Sequence, residues 1–248
     1  MDTRQDSQET KYGTDSFVAT GKRWMIIGAI VVSAAVPSIA QNEAVQQKLA
    51  EVKQSVAANK QKLQQYQWTE TTQLTLKGDA KPPSQNLCQY GAGGQVLKTP
   101  IGAPPPPPSG GRMKQRVVAK KKAEMKDYMD DVKVLLAMYV PPDPQKMQAD
   151  YKAGKLSFNP AGGIVNFIFK DYAQPGDQMT LTFDPAKSAV ISLSISTYMG
   201  DSKDVVTLQV QMANLADGTS HVQQTVLNAT AKQLVVTTTS SNYQKLGG

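Results

Sequence analysis

One cysteine and one histidine are all that 248 residues contain of the residue types that most often hold metals or act as nucleophile and base. A lone thiol, Cys88, cannot close an internal disulfide, so the fold must rest on its apolar core, and the thiol is read as a small buried hydrophobe. His221 and Cys88 together are too few ligands for a zinc site or a redox motif. Carboxylates nowhere fall at the spacing of a calcium loop, so no metal and no cofactor is expected. Triad chemistry needs a well-placed histidine. His221 sits beside the Asp217-Gly218 turn in a polar segment, where it is expected to face solvent, and no G-x-S-x-G is present. Asp130-Asp131 are neighbours within a helical segment and point to different faces, unlike the facing carboxylates of glycoside hydrolysis. The chain is expected to be no enzyme. It also lacks an apolar run of about 20 residues, the length that spans a bilayer.

The longest apolar run is informative for being short. Lys22-Arg23 lead into WMIIGAIVVSAAV, Pro37 breaks the run, and Ser38 and Ala40 follow as small residues in the spacing that signal peptidase reads. Residues 1–40 are therefore expected to be a signal peptide, with cleavage near Ala40/Gln41 and an uncleaved membrane anchor as the alternative. Residues 41–248 are expected to form a single domain, periplasmic or secreted. The export route, general or twin-arginine, is open.

Charge is unevenly spread. The net charge is +7, and the leader is neutral, with Arg4, Lys11, Lys22 and Arg23 against Asp2, Asp6, Glu9 and Asp15. Between residues 112 and 126 lie Arg112, Lys114, Arg116, Lys120, Lys121, Lys122 and Lys126 against Glu124 alone. One segment thus carries almost the whole excess. Tyr128 is the only ring nearby, which argues against nucleic acid, whose binding grooves interleave aromatics with basic residues. Two readings remain: a solvated helix face, or a contact with an anionic membrane surface.

Periodicity gives the elements. Residues 42–65 have no Gly or Pro, are rich in helix formers, and repeat Val45, Leu49, Val52, Val56 and Leu63 at helical spacing. The period then drops to two. Tyr66, Trp68, Leu74 and Leu76 share one parity of YQWTETTQLTL against an entirely polar opposite parity, as in a strand with one buried face. Short strands are expected at 86–90 and 95–98, then a surface loop at 99–111 with five consecutive prolines. A second helix over 112–140 carries Val117, Val118, Met125, Tyr128, Met129, Val132, Leu135, Leu136 and Tyr139. Asp143-Pro144 caps a third helix that runs to about Lys152 and is closed by Gly154. Alternating strands joined by short turns fill the remainder, including Ile191/Leu193/Ile195 and Val206/Leu208/Val210/Met212.

Helix, strands, two helices and a long antiparallel meander, with W-T-E-T (Trp68–Thr71) opening the first strand, resemble the LolA/LolB-like carriers of outer-membrane lipoproteins. Their relatives include RseB and LppX. The resemblance implies an α+β fold in which a curved antiparallel sheet of about 7–10 strands, an unclosed barrel, carries the helices on its concave face. It also implies a hydrophobic cavity beneath them for a lipid or the acyl chain of a lipoprotein. The single arginine that the general carriers place in that cavity has no counterpart in strand 67–77.

If such a cavity exists, the apolar parity of the sheet and the stripe of the second helix should face each other across it. The expected lining is Trp68, Leu74, Met125, Met129, Val132, Leu136, Leu193, Ile195, Leu208 and Val210. Arg112, Lys114, Arg116, Lys120, Lys121, Lys122 and Lys126 are the expected membrane-surface contacts. The function implied is an exported, non-catalytic, monomeric carrier of a lipid or acylated protein. The alternative is an envelope module that binds another protein and whose interior is a packed core.

Overall fold

A computed structural model describes residues 38–102 and 112–247. The leader expected at 1–40 falls outside the described residues except for its last three, and most of the proline loop falls outside them too. Ser38–Gly248 is one compact unit. It begins with α1 (Ser38–Leu63), followed by β1 (Tyr66–Leu76), β2 (Asp79–Ala80), β3 (Ser84–Tyr90) and β4 (Val96–Ile101). Next come α2 (Arg112–Leu136) and α3 (Pro144–Lys152). Seven strands complete the chain: β5 (Leu156–Ala161), β6 (Ile164–Lys170), β7 (Gln178–Asp184), β8 (Ala189–Tyr198), β9 (Val205–Asn214), β10 (Ser220–Ala229) and β11 (Leu234–Lys245).

All eleven strands join one sheet in the order β4-β3-β1-β11-β10-β9-β8-β7-β6-β5, with β2 attached to β1. Every pairing is antiparallel. The fold is α+β, a curved antiparallel sheet that does not close. It exceeds the expected strand number because β5 and the two-residue β2 were not distinguishable from loop. Lys77-Gly78, at φ 54° and 82°, make the tight turn that returns the chain into β2. β4 takes in Thr99–Ile101, which the sequence suggested were loop. Pro100 is tolerated there because β4 is an edge strand, where one flank needs no donor.

The core lies on one face of the sheet. Register aligns Phe169, Met179, Ile195, Leu208, Leu227, Val236 and Leu74 as a continuous apolar row across seven strands. Onto this face pack Leu49 and Val52 of α1, Val132 and Leu135 of α2, and Met147 of α3. Fully burying an aliphatic or aromatic side chain contributes about 1.5–3 kcal/mol, so this row and its cover dominate stability.

Polar ties fix the helices. α2 ends at Leu136, short of the expected 140, as the chain tightens to three-residue hydrogen bonds from Met138 to Leu135 and from Tyr139 to Leu136. Tyr139 follows, wholly buried, and its hydroxyl donates to the Asp177 carboxylate at 2.5 Å. That carboxylate also accepts the backbone N–H groups of Tyr172, Ala173 and Gln174. The Asp143 carboxylate caps α3 by accepting from the Gln145 N–H at 2.8 Å, and Gly154 at φ 71° follows the helix.

Candidate functional site

α1 is a thin helix. Alanine and glutamine separate its apolar residues, and only Leu49 and Val52 are buried among its described side chains. Two polar tethers hold it over the sheet instead of close packing. Ser55 Oγ donates to the Ser188 carbonyl, and the Asn59 amide bridges the backbone of Ser220, with both contacts at 2.6 Å. Where the tethers set the helix height and its side chains are short, space remains beneath it.

That space is a cavity of about 610 Å³. Its roof is α1, through Leu49, Ala50, Val52, Lys53 and Val56. One wall is the turn between α2 and α3 with the start of α3, through Val140, Pro141, Pro142, Pro144 and Met147. Its floor is the sheet, through Leu181, Val190, Leu193, Val210, Met212 and Val222. Two bulges shape this floor, one in the β7–β8 pairing at Thr182/Phe183 and one in the β9–β10 pairing at Val222/Gln224. Each bends its strand locally and increases the twist. The cavity opens to solvent, since Val56 and Val140 stay 47% and 41% exposed although both border it. Among the described residues, Lys53 is the only charged one on its lining, with Gln145 and Gln148 the only amides. Such a surface is suited to apolar contact.

A second depression of about 710 Å³ continues along α1 and shares Val56, Pro141, Val190 and Met212 with the first. Its lining is more polar than that of the first, with Glu51, Gln54, Asn59, Lys60, Lys62 and Lys187. Lys187 lies 3.2 Å from Asp184. The trough thus runs from an apolar end to a more polar one that carries Lys60 and Lys62.

Of the ten expected lining residues, Leu193 and Val210 border the cavity. The other eight do not. Val132, Ile195 and Leu208 are buried in the core, and Leu74, Met125, Met129 and Leu136 pack against it. The reason is side-chain size. The side chains of the α2 stripe are long enough to reach the sheet and fill the space beneath that helix, whereas α1 leaves the space beneath it open.

Trp68 belongs to neither group. It stacks on Tyr243 (5.5 Å between centroids, 12° between planes) and lies 5.5 Å from Tyr90. A register shift between Gln67 and Thr69 marks this corner. His221 is corrected as well. It is 7% exposed, with its ring 4.2 Å from that of Tyr243, and does not face solvent. Close by, the Tyr66 hydroxyl donates to Asp217 at 2.6 Å, which holds that carboxyl down to about 2 while the tyrosine is raised by the same bond. Cys88 is wholly buried beside these rings, and burial, then the Glu70 carboxylate, pushes its thiol up.

The basic residues Arg116, Lys120, Lys121, Lys122 and Lys126 are all exposed on α2, while the side chains of Arg112 and Lys114 lie outside the described residues. Lys126 pairs with Asp130 at 2.6 Å, and Lys120 approaches Glu124 at 3.9 Å. Val117 and Val118, expected to belong to the buried stripe, are exposed too. The wall formed by Pro141, Pro142 and Pro144 was missed in the sequence, and α1, expected among the covering helices, had supplied none of the expected lining residues. The signal available was the thinness of the α1 stripe.

No family model matches the chain, and no curated protein matches it. Among solved structures it is similar to the crystal structure of a DUF1329 family protein from Desulfovibrio piger, at 10% identity. That match covers 82% of this chain and 94% of the other, with a TM-score of 0.39.

Proposed function

We propose that this chain is a non-catalytic, exported binding protein of the cell envelope that holds the acyl part of a lipid or of an acylated protein. One observation carries the reading: an apolar cavity of about 610 Å³, open to solvent, between α1 and the sheet. That volume falls within the ~300–1,000 Å³ of small-molecule sites. Each methylene moved from water onto such a lining gains about 0.8 kcal/mol. Met147 and Met212 on opposite sides of the cavity are flexible and can adapt to chains of different shape. The polar continuation past Val56, with Lys60 and Lys62 exposed, suits an anionic headgroup. Placement in the envelope rests on the Lys22–Ala40 leader pattern.

A second reading, a module that binds another protein, has its own support. Among the described residues, β4 is an edge strand that pairs only with β3 and exposes Val96, Leu97 and Ile101. Such an edge can accept an added strand. One experiment separates the two readings. Protein purified from its native envelope is extracted with organic solvent, and the extract is analysed by mass spectrometry. Stoichiometric acyl species support the carrier, and a clean extract supports the protein-binding module.

A further inference from the structure

The first half of α2 packs on nothing described. From Gln115 to Glu124 every residue is exposed, whereas Val132 and Leu135 further along the same helix are buried. Ten residues are about 15 Å of helix, and an isolated helix that short is marginal in water. Its composition is also one-sided in charge, with Arg116, Lys120, Lys121 and Lys122 against Glu124. Val117 and Val118 in the same stretch are 56% and 46% exposed.

The position of those valines decides what the segment fits. Val118 lies seven and fourteen residues before Met125 and Val132, and Val117 lies eleven before Tyr128. By helical spacing both continue the stripe that α2 buries against the sheet. The stripe therefore continues into this stretch through the two valines, with Lys121 and Glu124 on the same face. Lys120 and Lys122 flank it, and Lys121 falls between the valines, where its stem can lie along the apolar surface while the ammonium reaches outward.

We infer that residues 115–124 of α2 dock on an anionic lipid bilayer, valines down and lysines among the headgroups. An apolar stripe bordered by lysines is the pattern of a helix lying in the membrane interface. No described helix is long and apolar enough to cross a bilayer, and the contact drawn here is a surface one. An anionic surface complements the four basic residues, and two valines alone are too small an apolar surface for a neutral one. Charge sets affinity and the valines set depth. The inference does not depend on what the cavity holds.

The test uses the compact unit from residue 38 to 248, so that the apolar run of the leader cannot itself attach the protein to lipid. Sedimentation with vesicles of phosphatidylcholine alone and of phosphatidylcholine mixed equally with phosphatidylglycerol gives the affinities. Binding to the mixed vesicles only, weakened by salt, is expected. The triple variant K120Q/K121Q/K122Q should lose about a hundredfold, since each lysine near an anionic surface is worth about fivefold. V117D/V118D should lose at least about tenfold with unchanged helix content by circular dichroism. Absence of vesicle binding, equal binding to neutral vesicles, or unaltered affinity of the triple variant would each overturn the inference. Binding to an acidic polymer but not to vesicles would also overturn it.

Discussion

The buried Asp177 carboxylate is the polar centre of the fold. It collects three backbone N–H groups from the β6–β7 turn and the hydroxyl of Tyr139, whose oxygen in turn accepts from the Thr197 hydroxyl at 2.8 Å. Burial, then the hydrogen bond to Asp177, pushes the Tyr139 hydroxyl far up, which keeps it a donor to that carboxylate at neutral pH. Tyr139→Phe leaves a buried charge with one donor fewer and should destabilise by about 1–3 kcal/mol in urea unfolding. Asp217 shows the opposite, exposed case. Its carboxyl is held at about 2 by the Tyr66 hydroxyl, then by Thr219, below the ordinary 3.8. A lowered folded value means the contribution is present above pH ~4 and is lost as pH falls towards 2. Asp217→Asn should therefore flatten that part of the acid-unfolding curve, followed by the urea midpoint between pH 4.5 and 2.5. Neither network was legible in the sequence. Tyr139 and Asp177 are 38 residues apart, and only the closed sheet face brings them together.

At the level of elements, periodicity separated helix from strand well but could not rank two amphipathic helices. α1 and α2 both show apolar residues at three-to-four spacing, and the sequence made both into a cover. Their difference lies in bulk. Met125, Tyr128, Met129 and Leu136 reach the sheet and become core, while alanines in α1 leave a gap that Val56 borders. This assigns different outcomes to two substitutions. Leu135→Ala on α2 should cost about 2–5 kcal/mol, as for a packed core position, and leave ligand binding unchanged. Val56→Ala should cost well under 1 kcal/mol, as an exposed position does, and weaken uptake of an apolar probe. Denaturation and probe titration of both variants check the pair. Equal stability losses in the two would show that the space under α1 closes up in solution. The boundaries that the sequence missed have a shared cause. α2 stops at Leu136 because Tyr139 is drawn to Asp177, and Thr99–Ile101 pair as strand because an edge accepts proline.

For the whole molecule, the architecture was open to reading because each strand carries its own record of which side is buried. Phe169, Met179, Ile195, Leu208, Leu227, Val236 and Leu74 come from separate segments, yet the alternation in each puts them in one row. What alternation cannot tell is which stretch of that face the helices press upon and which they merely bridge. That depends on helix height, set here by Ser55 and Asn59 and by the turn at Val140–Pro144. Thus Leu193 and Val210 border the cavity from within the core, while Ile195 and Leu208, two residues along the same strands, lie in the core away from it. The proposed role rests on the bridged stretch being accessible to an acyl chain. Titration of the compact unit with a fluorescent fatty acid, in the native protein and in Val56→Asp, tests this most directly. Saturable one-to-one binding, lost in Val56→Asp without a fall in melting temperature, is the expected result. Absence of saturable binding, or binding that Val56→Asp leaves intact, would contradict it.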